Sequence, residues 1–131
     1  MIFVDTSAWY ASSSVRDANH QEAKRFLTSV RERLVTSDYV IDETLTLFRS
    51  RGENLHALTF GAEVIDGSFA EIITITEQDF AAAWDVFQRF ADKEWSFTDC
   101  TSRVVMERLG IQRAFAFDDH FRQFGTVSVL P

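Results

Sequence analysis

The chain has 131 residues, of which 46% are hydrophobic and 25% are charged, and its formal net charge is −7. This length suits one domain with a sizeable core, whereas the negative charge is unlike the basic face that most nucleic-acid-binding proteins present. A single cysteine excludes an internal disulfide, and no apolar stretch or N-terminal signal pattern indicates a membrane or secreted protein, so the sequence predicts a cytoplasmic one.

The predicted elements alternate between strands and helices. Apolar and β-branched runs predict strands, and apolar residues that recur every three or four positions predict helices. Such alternation is typical of an α/β domain with a largely parallel sheet of about five strands. No repeat or linker divides the chain. In order, the predictions are a strand at 2–5, a helix at 17–34, a strand at 34–36, helices at 37–52 and 53–66, a strand at 71–76, helices at 77–92 and 96–110, and strands at 113–117 and 126–130.

Four acidic residues stand where a parallel sheet would bring distant segments together. Asp5 and Asp118 follow apolar strands, and the sites of α/β proteins form outside the carboxyl ends of such strands. Glu43 lies at the edge of an apolar helix face, and Asp99 lies in the first turn of a predicted helix. Each also has an ordinary structural explanation, because strand-end and first-turn acids cap helices and a boundary glutamate is often simply solvated.

Acids that converge in this way predict a divalent metal centre. Clustered carboxylates repel one another and raise each other's pKa unless a cation is bound. Mg²⁺ and Mn²⁺ prefer oxygen ligands, and a cation so held activates water and neutralises charge on a phosphoryl group. The chain has no P-loop and no GxGxxG motif, which would have indicated nucleotide binding instead.

Four segments in this order resemble those of the PIN-domain family, specifically VapC-type toxin ribonucleases of toxin–antitoxin pairs. They are IFVDTS at the start, DETLTLFRSRG in a helix, SFTDC before a helix and FDDHFRQFG near the end. The resemblance covers nearly the whole chain and implies one PIN-like α/β domain over residues 1–131. It also implies that Asp5, Glu43, Asp99 and Asp118 are the ligands of one or two Mg²⁺ or Mn²⁺ ions.

The family pattern bears on the neighbours of these acids as well. It favours Asp118 over Asp119, because the closing motif reads Asp, any residue, His and Phe. Thr6 and Thr98 match the family's hydroxyl residues, which orient water or a carboxylate. The implied reaction is hydrolysis of an RNA phosphodiester without a covalent intermediate, commonly in transfer or ribosomal RNA. The implied partners are a second copy of the chain and an antitoxin whose C-terminal segment covers the site.

Several other residues invite a functional interpretation. Arg49 and Arg51 end the helix that carries Glu43, where they would either bind RNA phosphates or favour the helix C-terminus. Arg103 is one turn after Asp99 and is expected to pair with it. Core packing is the better interpretation for Cys100, and packing or solvent exposure for His120. Aromatic residues of the helix at 77–92 have the spacing of a core or a dimer interface.

Two other function classes stay open at this point. In an aspartate-nucleophile phosphotransferase Asp5 would form an aspartyl-phosphate, but such enzymes usually carry a second Asp two residues later, where this chain has Ser7. A PIN-like module that binds RNA or protein without cutting is the non-enzymatic alternative. Four intact acids argue against it, since a binding module has no need of clustered like charges.

Overall fold

The computed structural model describes residues 1–131, and at its centre is a sheet of five strands in the order β3-β2-β1-β4-β5. Every neighbouring pair of strands is parallel, which confirms the predicted α/β class. No helix is both long and apolar enough to cross a membrane. The strands are β1 (Ile2–Val4), β2 (Leu34–Ser37), β3 (Glu71–Ile73), β4 (Arg113–Phe115) and β5 (Ser128–Leu130).

Seven helices connect and flank these strands, and five of them were predicted from the sequence. The exceptions are α1, which follows β1 directly, and the four-residue α7. The helices are α1 (Thr6–Ser13), α2 (His20–Ser29), α3 (Asp38–Ser50), α4 (Asn54–Val64), α5 (Glu77–Arg89), α6 (Phe97–Leu109) and α7 (His120–Gln123).

The predicted helix at 17–34 is shorter in the structure than its apolar spacing indicates. The chain leaves the helical conformation at Val30, which has extended φ and ψ angles. Leu34 then begins β2, whose four residues are all buried between the neighbouring strands and the helices. A fully buried parallel strand takes apolar residues on both faces. Leu34, the first residue of β2, therefore also fits the apolar spacing of the helix before it, and this spacing extended the predicted helix too far.

The position of β1 in the middle of the sheet decides where the acids meet. Phe3 pairs with Val35 of β2 on one side and with Ala114 of β4 on the other. Because the strands are parallel, the carboxyl ends of β1, β2 and β4 lie at one edge of the sheet. Asp5 follows β1 at this edge, α3 starts there after β2, and Asp118 comes shortly after β4.

Aromatic packing holds these strand ends in place. Phe3, Phe115 and Phe121 are fully buried, and each contributes roughly 1.5–3 kcal/mol of transfer free energy. Phe3 stacks with Phe121 at 6.2 Å between ring centroids, so the start of α7 is anchored directly to the central strand. The loops that carry the acids therefore rest on a rigid base.

Candidate metal centre

Asp5 caps α1, and the cap uses only one of its two carboxylate oxygens. Oδ2 accepts a hydrogen bond from the Ser7 backbone N–H at 3.2 Å and another from the Ser7 hydroxyl at 2.7 Å. Oδ1 is buried and has no hydrogen-bond partner. A buried acceptor left without a partner costs about 1–3 kcal/mol, so this oxygen needs a ligand that the chain does not supply.

The Ser7 hydroxyl joins two segments of the site. Besides donating to Asp5, it accepts a hydrogen bond from the Phe117 backbone N–H at 2.9 Å, one residue before Asp118. The family resemblance pointed to Thr6 and not to Ser7. The Thr6 hydroxyl donates to the Val40 carbonyl at 3.5 Å, a long hydrogen bond that joins α1 to α3.

Asp99 combines a capping role with a contact across the site. Its backbone N–H donates to the Ser96 hydroxyl, and its Oδ2 accepts from the Ser96 backbone N–H, both at 3.0 Å. His120 Nδ1 lies 2.7 Å from the same Oδ2. The sequence favoured packing or exposure for His120. The structure instead places its ring against Asp99, a contact that follows from the tertiary fold and not from a local sequence pattern.

Asp118 is the member of the Asp118–Asp119 pair that joins the acids. Ligand atoms of Asp99, Asp118 and His120 all lie within 4.8 Å of one another, as a shared cation would require. Asp118 Oδ1 also accepts a hydrogen bond from the His120 backbone N–H at 3.2 Å. The Asp119 side chain is 86% exposed and faces Arg122 at 4.0 Å, so it lies outside the group.

Asp5 and Glu43 lie outside this tightest group but within reach of its charges. Burial raises the pKa of Asp5 well above its ordinary value, and the charges of Asp118 and Asp99 raise it further. Burial also raises the pKa of Glu43, and the charges of Asp99 and Asp118 again add to the rise, although the nearby Thr6 and Ser96 hydroxyls oppose it. The four acids thus form one electrostatic unit.

Asp99 shows the same effect in milder form. Burial raises its pKa and Asp118 adds to the rise, although the Ser96 and His120 hydrogen bonds oppose it. The residues fit a hard divalent cation: the donors are mostly carboxylate oxygens, one of them is buried and unpaired, and their repulsion is relieved by positive charge.

No hydrogen bond or ion pair joins the remaining predicted site residues to the four acids. The Thr98 carbonyl accepts from the hydroxyls of Thr101 and Ser102 inside α6, and no hydrogen bond joins it to an acid. Arg49 donates to Asn54 at 2.8 and 3.0 Å. Arg51 lies 4.7 Å from the centre of the Tyr10 ring. Both arginines are exposed at the far end of α3 and contact no acid of the site.

Two expectations around α6 have different outcomes. The prediction that Arg103 pairs with Asp99 is wrong, because Arg103 lies 3.3 Å from Glu107 and 4.7 Å from the Phe90 ring centre. Cys100 is fully buried, and burial, with the charge of Asp99 adding to it, raises the pKa of its thiol to about 11. A thiol that stays protonated at neutral pH is a core residue and not a nucleophile.

The aromatic residues of α5 divide between core and surface. Phe80, Trp84 and Phe87 are 50%, 53% and 41% exposed, so the core interpretation is wrong for these three residues. The Trp84 and Phe87 rings stack at 5.9 Å between centroids. This row, which we call the α5 aromatic face, remains available for an interface.

Comparison with known proteins shows the family of the chain and relatives that resemble it over most of its length. The model of the PIN domain family matches residues 2–127. The chain is 38% identical over 131 residues to the 23S rRNA-specific endonuclease VapC20 of Mycobacterium tuberculosis, covering 100% of this chain and 99% of the relative. It is 28% identical over 123 residues to the VapC ribonuclease of Archaeoglobus fulgidus, covering 90% of this chain and 77% of the relative.

Solved structures show the same similarity in three dimensions. The crystal structure of Mycobacterium tuberculosis VapC20, described as a Sarcin-Ricin loop cleaving toxin, matches with a TM-score of 0.92 at 37% identity and covers 100% of both chains. FitAcB from Neisseria gonorrhoeae matches with a TM-score of 0.69 at 16% identity, covering 100% of this chain and 97% of that chain. At that identity the match shows the fold alone.

Proposed function

The chain belongs to the PIN-domain family as a VapC-type member, and on this basis we propose that it is a metal-dependent endoribonuclease, the toxin of a toxin–antitoxin pair, built as one domain over residues 1–131. One observation carries the metal dependence: the buried, unpaired Oδ1 of Asp5, set among other acids whose charges raise its pKa. Such an oxygen is stabilised by a cation.

In this proposal Asp5, Glu43, Asp99 and Asp118 hold Mg²⁺ or Mn²⁺. A cation bound there supplies a Lewis acid that activates water and offsets charge on the phosphoryl group. Asp5 offers Oδ1, because Ser7 occupies its Oδ2. Asp99 likewise offers Oδ1, since both of its side-chain hydrogen bonds fall on Oδ2. Asp5 and Asp99 thus each cap a helix through Oδ2 and offer Oδ1 to the cation.

The proposed reaction is hydrolysis of an RNA phosphodiester that leaves 5′-phosphate and 3′-hydroxyl ends. Without a cation the four acids repel phosphate, so productive RNA binding should require the metal. The relative that is 38% identical over the whole chain is named for 23S rRNA, which makes this RNA the first substrate to test. Such a substrate lies in the cytoplasm, where we expect the protein to act.

We also propose two protein partners. One is an antitoxin that covers the acids, and the other is a second copy of the chain. Two copies that each carry a net charge of −7 need an uncharged contact surface, and the α5 aromatic face supplies three exposed rings for it.

The test is cleavage of ribosomal and transfer RNA by purified protein free of antitoxin, in Mg²⁺, in Mn²⁺ and in EDTA. We expect defined cuts that disappear in EDTA and in Asp99→Asn, with ends mapped as 5′-phosphate and 3′-hydroxyl. Asp92→Asn, at an exposed aspartate outside the site, is the matched control and should cut normally. No cuts by folded, metal-loaded protein would instead support the module that binds without cutting.

A further inference from the structure

We infer that His120 is a positioning residue of the metal centre: its imidazole holds the Asp99 carboxylate by Oδ2 and reserves Oδ1 for the cation. The inference rests on the proposed function, which needs the four acids as ligands. It adds a residue that neither the capping pattern nor the four acids account for.

Two donors hold the same oxygen of the Asp99 carboxylate. His120 Nδ1 lies 2.7 Å from Oδ2, and because a carboxylate oxygen only accepts, Nδ1 carries the proton in this contact. The Ser96 backbone N–H donates to the same oxygen at 3.0 Å. The last torsion angle of an aspartate side chain has a broad distribution, so a single hydrogen bond orients the carboxylate only weakly. Two donors on one oxygen fix which oxygen is left for a ligand.

His120 also contacts two acids at once. Its ring is bonded to Asp99 on α6, and its backbone N–H donates to Asp118 Oδ1 at 3.2 Å. The residue therefore sets the distance between an acid on a helix and an acid on the turn after β4. Phe121, the next residue, is fully buried against Phe3, so the core fixes the backbone from which the ring projects.

Asp5 is held in the same manner as Asp99. Ser7 donates twice to Oδ2 of Asp5, while Oδ1 stays unpaired. The Ser7 hydroxyl also reaches the segment after β4, through the Phe117 N–H. Thus the two most buried acids of the site each have one oxygen held by the chain, and both arrangements tie the acid to the segment that carries Asp118. His120 does for Asp99 what Ser7 does for Asp5.

The test compares three substitutions of His120 by their affinity for Mn²⁺, measured by titration calorimetry without RNA. Asn places an amide nitrogen near the position of Nδ1, Gln places one near Nε2, and Ala removes both. We expect His120→Ala and His120→Gln to weaken Mn²⁺ binding by ~10–100-fold, as loss of an outer hydrogen bond to a ligand does, and His120→Asn to stay within ~3-fold of wild type.

RNA cleavage gives a second readout, and His20 gives the control. At limiting metal, kcat/KM for cleavage should follow the Mn²⁺ affinity because productive RNA binding requires the metal, whereas kcat at saturating Mn²⁺ should be unchanged in all three variants. His20→Ala removes another half-buried ring, one that contacts the Ala11 carbonyl at 2.8 Å away from the acids, and should leave Mn²⁺ affinity unchanged. Melting temperatures show whether each variant is folded.

Two results would overturn the inference. One is wild-type Mn²⁺ affinity in His120→Ala. The other is a loss in His120→Asn as large as in His120→Ala while His120→Gln is rescued, which would assign the role to Nε2. If His120→Ala does not fold, the comparison of Asn with Gln decides alone. Wild-type protein that binds Mn²⁺ and cuts no RNA would refute the proposed function only, whereas wild-type protein that binds no Mn²⁺ would refute both.

Discussion

At the scale of single residues, the acids of this site serve as helix caps and as candidate ligands through different atoms. Asp5 Oδ2 accepts from the Ser7 N–H at the start of α1, and Asp99 Oδ2 accepts from the Ser96 N–H at the start of α6. Local sequence therefore sets the orientation of each carboxylate before any long-range contact forms. A cap of this kind contributes typically about 1 kcal/mol, and it also decides which oxygen remains for a ligand.

Replacing Ser7 by Ala tests this arrangement. The change leaves the Phe117 N–H without its acceptor and removes the shorter hydrogen bond to Asp5. We expect RNA cleavage to fall about 10-fold and the free energy of unfolding to fall by about 1–3 kcal/mol. Both are measurable in the cleavage assay and by urea denaturation. Ser12→Ala on the same helix removes only a bond to the Trp9 carbonyl and should preserve cleavage; equal losses in both variants would contradict the role of Ser7.

Glu53 is a buried acid outside the site, and its surroundings have the opposite effect on its pKa. Burial alone would raise the pKa, yet hydrogen bonds from Tyr10, Ser14 and His56 and the charge of Arg16 lower it to about 2. Arg16 Nη2 lies 2.8 Å from Oε1, and His56 Nδ1 lies 3.0 Å from Oε2. Because every contact favours the ionised form, we regard Glu53 as a structural residue that joins α1 to α4.

This assignment predicts how Glu53→Gln depends on pH. A lowered pKa stabilises the fold fully above the ordinary value of 4.5, and the contribution is lost as pH falls toward about 2. We expect the variant to unfold with about 1.5–3 kcal/mol less free energy at pH 7, and with a smaller difference at pH 3. Urea denaturation at the two pH values measures this. Glu63→Gln, at an exposed position of α4, should have no effect, and a pH-independent loss in Glu53→Gln would contradict the prediction.

At the scale of elements, the sequence predicted all five strands and five of the seven helices. Capping residues explain part of this success: Ser37 accepts from the Val40 N–H, and Ser96 and Thr76 form capping boxes at the starts of α6 and α5. α1 was missed because most of its residues are buried, which removes the alternation of apolar and polar faces that periodicity detects. α7 is a single turn, too short for any periodic pattern.

The candidate site was predictable only in part, for a related reason. Asp5 and Asp118 could be found because they follow strands, and Asp99 because it lies in a first helical turn. The contacts of Ser7 with Phe117 and of His120 with Asp99 join residues 110 and 21 positions apart, and no local pattern encodes them. The same limit applies to Arg103, whose expected partner was chosen by spacing alone.

The α5 aromatic face leads to a prediction about assembly. If a second copy covers Phe80, Trp84 and Phe87, then Trp84→Gln should shift the protein from dimer to monomer, because an interface loses much of its free energy with a buried Trp. Light scattering after size-exclusion chromatography measures the mass. Leu55→Gln changes another exposed apolar side chain, on α4, and should leave the dimer intact. A wild-type monomer at high concentration would contradict the proposed dimer.

At the scale of the whole molecule, the acids make stability depend on metal and pH together. The pKa values of Asp5, Glu43 and Asp99 are raised, so the metal-free native state holds protons that the unfolded chain has already released. The free energy of unfolding therefore falls as pH rises from the ordinary pKa values through the raised ones. A divalent cation should restore the lost stability by binding the native state alone.

Asp5→Asn isolates this contribution. In EDTA at pH 7.5 we expect the variant to be more stable than wild type by about 1 kcal/mol, a rise in melting temperature of roughly 3–6 °C, because burial and the neighbouring acids disfavour the ionised form of Asp5 in the native state. The gain should shrink toward pH 4, where the same carboxyl of the unfolded chain begins to take up its proton as well. Mg²⁺ should raise the melting temperature of wild type and have little effect on the variant. A variant less stable than wild type in EDTA at pH 7.5 would show that burial and the neighbouring acids do not destabilise the ionised form of Asp5.

The sheet order has a consequence for the synthesis of the chain. The turn at Gly67 separates the acids two and two, with Asp5 and Glu43 before it and Asp99 and Asp118 after it. β1 is made first, but its neighbour β4 is made almost last, so the acids can meet only when nearly the whole chain has left the ribosome. On the proposed function, the chain would therefore gain its activity only when its synthesis is nearly complete, and a fragment that ends before β4 would lack Asp118 and the strand that carries it to the site.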